Sequence, residues 1–286
     1  MTSLPRVALG VAALAGASLL GVLDAGEAPR DPAAALGGGR TVATGILFLR
    51  AEALRREGRT DEMAAVYRRI LEIDPGNDAG ADHLAETLSR DLLPLAPTPE
   101  GRVRWWREAF ALTGRALERV PDSQRLLYRR ADLCLFVAAR DPAVAEALAK
   151  EGRDPEREGF ESLLAAVRVG PEIPGRGRIH LDVVARAAPW LAATRLARGG
   201  DPRPFLDGGE ETLRRAEGVL DEIILDPGDR ASAAVRLRAG LRLVAHVAAA
   251  LNERPPRAQD ARDLLDAYAR TLGEDRVTAA LKPLLP

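Results

Sequence analysis

Residues Ile46–Asn77 read ILFLRAEALRREGRTDEMAAVYRRILEIDPGN, and this stretch decides the fold. In its first half Leu47, Ala51 and Leu54 recur at i, i+4 and i+7, one face of a 3.6-residue period. Gly58 ends that helix, because glycine enters the left-handed conformation just past a helix without a Cβ penalty. Thr60 is placed to cap a second helix, with Asp61 and Glu62 where the dipole favours negative charge. Met63, Val66, Tyr67, Ile70 and Ile73 form its apolar stripe. Pro75 stops it, since proline lacks the N–H and its ring clashes with the preceding turn. The pattern predicts an antiparallel helical hairpin. Such a hairpin cannot bury its stripes alone, so neighbours of the same kind must supply the rest of the core.

Working outward, the hairpin is similar to the tetratricopeptide repeat (TPR). Pro75 stands at the family's proline, Gly58 at the turn glycine, Tyr67 at the aromatic and Ala64 at the small residue near the crossing. Leu47 replaces the usual tryptophan, and Ala51 and Leu54 replace the usual Gly-Tyr pair. The resemblance is good over about 44–93 and weaker beyond.

Downstream, Leu84 and Leu88 mark a third helix, followed by Pro94, Pro97 and Pro99. Thr98-Pro99 opens a fourth, with Trp106, Phe110, Thr113 and Leu117 as its stripe. Pro121 closes it 46 residues after Pro75, against a family period of about 34. A fifth helix carries Leu127, Ala131, Cys134 and Ala138 on one face, and Asp141-Pro142 and Asp154-Pro155 start two more. The stretch 170–179 reads as a Gly- and Pro-rich loop, Pro189 as a kink or split, and 199–209 as a break. Residues 211–229 echo 61–77, with Asp-Pro-Gly recurring at 226–228. A long apolar helix then spans about 230–252. Two short helices close the chain, with Leu264, Leu265 and Tyr268, then Val277 and Leu281, the last serving as a cap.

The N-terminus carries 17 uncharged residues, Val7–Leu23, after Arg6. That is near the lower limit for a membrane span, which needs about 20, and longer than the apolar core of most cleaved signals. Positive charge before it and acidic residues after it orient the body outward. Residues 1–23 therefore read as a signal-anchor or a signal peptide. Residues 24–43 read as a flexible linker, with an r.m.s. reach of about 25 Å. The expected fold is an all-α, TPR-like solenoid of irregular helical hairpins over 44–286, with a sub-boundary near 170–180.

The net charge is −1, from 41 basic and 42 acidic residues, so no basic field invites nucleic acid. One cysteine excludes an intramolecular disulfide. His83, His180 and His246 stand too far apart in sequence for metal-binding motifs, and no nucleophile elbow or haem motif occurs. No catalytic residue, cofactor or metal is expected. The tryptophans of Gly101–Arg107 read as one core residue, Trp106, and one flanking contact, Trp105, rather than a membrane-docking patch.

In the TPR family the first helix of each hairpin lines a concave face that takes peptides or partner helices. Carried onto this chain, the resemblance implies a face of Phe48, Glu52, Arg55 and Arg56, continued by Asp82, Glu86 and Arg90. The Lys and Asn of the family's carboxylate clamp are absent from these positions, so a basic or apolar segment fits better than a free C-terminus. The expected function is a membrane-tethered, non-catalytic scaffold recruiting a partner protein in the bacterial cell envelope. Two alternatives stand beside it. One is an exported soluble protein that binds an anionic ligand or glycan through Arg176 and Arg178. The other is an envelope enzyme of helical fold.

Overall fold

Helices α1 (Pro32–Arg56) and α2 (Thr60–Ile73) are the two arms of the opening hairpin. Gly58 sits between them at φ 71°. The Arg59 N–H donates to the Leu54 carbonyl at 3.0 Å and the Gly58 N–H to that of Arg55 at 3.1 Å, which satisfies carbonyls left over at the end of α1. The same closure recurs around Gly152 and Gly199. Because it leaves one residue before α2, Arg59 and not Thr60 occupies the cap position, without a side-chain acceptor. Its guanidinium bridges Glu57 and Glu62 instead. This computed structural model describes residues 32–169, 177–219, 227–252 and 258–285, and among them it is all helical.

Residues 32–43, expected as part of the flexible linker, belong to α1. Pro32 is preorganised for a first helical turn, and the alanines and Leu36 that follow are strong helix formers, so the helix starts there despite three glycines. The proposed anchor, 1–23, lies outside the described residues. Among those residues no helix is long and apolar enough to cross a membrane.

Helix α3 (Asp78–Glu86) starts at Asn77, whose side chain accepts the Gly80 N–H at 2.8 Å, and runs on into a π-helical turn, Thr87–Leu92. Helix α4 (Pro99–Arg119) is capped by Thr98. Helix α5 (Gln124–Asp132) is capped by Ser123 and also runs into a π-helical turn, Leu133–Ala138. The two π turns lie at the same 46-residue offset as Pro75 and Pro121. The structural period over this part of the chain is thus 46 residues, the excess lying in the 21-residue α4 and the link before it.

Seven helices follow: α6 (Pro142–Lys150), α7 (Pro155–Val169), α8 (Gly177–Ala197), α9 (Arg203–Val219), α10 (Pro227–Asn252), α11 (Ala258–Leu272) and α12 (Arg276–Leu281). Pro189 does not split α8. Its ring packs on α10, where a Cβ added at Gly240 would lie 2.8 Å from it. The break expected over 199–209 shrinks to the turn before α9. Gly208 and Gly209 sit inside that helix because their surfaces face Phe160 and Leu241 too closely for a Cβ. Leu264, expected in an apolar stripe, is exposed, whereas Leu265 is buried. Helix α12 packs back on α8.

Two cores result. One runs from Ala51 to Leu148 and is centred on Tyr67, Leu88 and Trp106. The other gathers α7 to α12 around Leu191, Phe205 and Val244. Helix α5 and its π turn serve both, with Leu133 and Cys134 in the first core and Ala131 and Leu135 in the second. Trp106 is buried, and its Nε1 donates to the Leu133 carbonyl at 2.9 Å. Trp105 is half-buried, with the Arg104 guanidinium 4.8 Å from its ring centre. Both tryptophans are therefore used within the fold.

Candidate protein-interaction face

Helices α1, α3 and α5 are the first arms of successive hairpins, and their facing side chains meet. From α1, Phe48 reaches Tyr67 and His83, with ring centres 6.1 and 6.0 Å away in edge contacts. Tyr67 and His83 stack at 5.5 Å. The Arg55 guanidinium lies 3.4 Å from the Tyr67 hydroxyl. Beside this aromatic floor Glu52 pairs with Arg56 at 3.3 Å, and Arg56 is 78% exposed.

The acidic half of the face differs from what the sequence implied. Asp82 is buried, and its carboxylate accepts from Arg129 Nε at 2.6 Å. Arg129, on α5, also approaches Glu86 and Asp132, each at 3.3 Å. Arg90 joins the same group, 3.0 Å from both oxygens of Asp132 and 3.5 Å from Glu86. Three carboxylates thus surround two guanidiniums. The Arg129 and Asp82 side chains are only 11% and 12% exposed.

Electrostatics follow from this packing. His83 beside Glu86, together with Arg129 and Arg90, outweighs burial and draws the Glu86 carboxyl down to about 2. His83 Nδ1 stands 3.9 Å away, too far for a hydrogen bond, so the Arg129 contact is the firmer one. Burial acts against the Arg129 charge, but Asp82, Glu86 and Asp132 more than offset it. Burial and Glu86 raise the Asp91 carboxyl, against the pull of Arg55 and Arg90.

The seven residues that the sequence proposed lie on α1, α3 and the π turn after α3, in three states. Phe48, Glu52, Arg55 and Arg56 border solvent, whereas Asp82 is consumed by a buried ion pair. Glu86 and Arg90 are partly engaged. Sequence reading missed Arg129, Asp132, Tyr67, His83 and Asp91 as members. For Arg129 and Asp132 the available signal was the shared 46-residue offset, which sets α5 beside α3.

A tetratricopeptide repeat model matches residues 44–87. These residues form a TPR-like repeat. The match spans the C-terminal half of α1, all of α2 and α3 up to the start of its π turn. No curated protein and no solved structure matches the chain. TPR repeats typically mediate protein–protein interaction, and the family is generally non-catalytic. Among the described residues no group of His, Cys, Asp and Glu is placed to hold a metal ion. Of the proposed anion-binding pair, Arg176 and the side chain of Arg178 lie outside the described residues.

Proposed function

We propose that this chain is a membrane-tethered, non-catalytic scaffold that recruits a partner protein in the bacterial cell envelope. The observation that carries the reading is the division of the α1–α3–α5 face. Asp82 and Arg129 lock α3 to α5, while Glu52, Arg55 and Arg56 stay accessible beside the Phe48–Tyr67–His83 floor. A rigid backing with an accessible mixed-charge edge suits recognition of a helix or extended segment. The tether rests on the uncharged run Val7–Leu23.

The test is the exchange Glu52→Arg plus Arg56→Glu. It preserves an i,i+4 ion pair and net charge while reversing the pattern a partner meets. Capture of the partner from envelope extracts should fall sharply with no change in melting temperature. Undiminished capture would count against this face. For the tether, the full-length chain should stay with the membrane pellet through a high-salt wash, and release by salt alone would argue for peripheral attachment.

A further inference from the structure

A second depression lies between α2 and α4, over a different side of α3. It encloses about 300 Å³. Ala81 and Leu84 of α3 and Ala116 of α4 supply buried apolar floor, with Leu71 and Leu112 half-buried along its walls. The Arg68–Glu108 bridge, 3.0 Å long, crosses one end. From Glu108 to Arg119 the α4 wall runs about 16 Å, some three helical turns.

The rim is electrically lopsided. Arg68 is matched by Glu108 and Arg69 by Glu72. On α4, Arg102 and Arg107 are matched by Asp141 and Glu151, and Arg104 stacks on Trp105. Arg115 and Arg119 line the cleft on the same wall, one helical turn apart, with no carboxylate partner among the described residues. Two like charges at i,i+4 repel each other, and the two carboxylates that line the cleft, Glu72 and Glu108, are paired with Arg69 and Arg68.

We propose that this cleft docks a short acidic segment of a partner protein. Leucine-like side chains would fill the floor, and carboxylates one turn apart would meet Arg115 and Arg119. The contact is separate from the α1–α3–α5 face, so the scaffold would hold two partners at once.

The test uses the full-length chain and a fluorescein-labelled peptide carrying two leucines one helical turn apart among glutamates. Fluorescence anisotropy should show saturable binding. Arg115→Glu plus Arg119→Glu should weaken it by about tenfold or more, the loss of two charge-assisted contacts. The charge-matched pair Arg104→Glu plus Arg140→Glu should leave it unchanged, as should the Glu52/Arg56 exchange. Replacing the peptide leucines by serine should also weaken binding by about tenfold, from lost apolar burial. Arg115→Gln plus Arg119→Gln removes the charges while keeping two of the three side-chain methylenes, and should reproduce the loss if the Glu variant folds poorly. The proposal is overturned by absent saturation, by equal weakening with both charge-matched pairs, or by tight binding of the serine peptide. Dimerisation of the free chain that Arg115→Glu plus Arg119→Glu abolishes would assign the cleft to a second copy and overturn it too.

Discussion

Glu86 and Cys134 illustrate opposite uses of burial. Glu86 has neighbours that favour its charge: His83, then Arg129 and Arg90, bring it from its ordinary 4.5 to about 2. A carboxyl depressed on folding contributes stability that is complete above its unfolded value and is lost as pH falls through the folded one. The window here is therefore from about pH 5 down to pH 2. Glu86→Gln should cost about 1–2 kcal/mol at neutral pH and progressively less toward pH 2, read as urea midpoints across that range. An equal deficit at both ends would show that the carboxylate charge is not what stabilises. Cys134 has Arg130 and Arg153 nearby, but they are outweighed. Burial, helped by Glu158, pushes its thiol up to about 12. Because the thiolate is the reactive form, iodoacetamide should leave Cys134 unmodified in the native chain and label it fully in urea. Rapid native labelling would mean that the π turn of α5 opens readily.

Helices begin and end here for local reasons, and glycine position separates two kinds of substitution. Gly58 holds φ 71°, so Gly58→Ala forces a Cβ into the left-handed region and should cost about 1 kcal/mol. Gly45 lies inside α1 with no heavy atom within 4 Å of an added Cβ. Gly45→Ala should therefore stabilise by about 0.5–1 kcal/mol through helix propensity alone. Paired thermal melts of the two variants should move in opposite directions. The caps behave as their residue types dictate: Asn77, Thr98, Ser123, Asp141 and Asp275 each accept a backbone N–H at the start of their helix. The π turns were not legible. Thr87 and Ser89 donate to the His83 and Ala85 carbonyls around the first, competing for the helix's own acceptors, but no hydroxyl residue falls within the second.

Across the whole molecule, α5 ties two cores into one unit. Leu133 and Cys134 leave with the first core, and Ala131 and Leu135 with the second, so neither core can lose α5 without opening the other. Trp106 reports the first core, and Trp190 packs against the second. Urea unfolding followed by tryptophan fluorescence and by far-ultraviolet circular dichroism should therefore coincide in one transition. Separated transitions would show that the cores unfold independently. The sequence alone determined the helical class, the first hairpin, its turn glycine and most stripe residues, because period, capping and proline stops act within a few residues. It also determined the 46-residue spacing of Pro75 and Pro121. Only the tertiary structure decided which charges are spent and which remain accessible. Asp82 and Glu52 are both acids on first-arm helices, but Arg129, 47 residues beyond Asp82, packs over one and not the other. Charge alternation reads the same for a solvated face and for a buried bridge; the difference arises when a neighbouring helix removes the water.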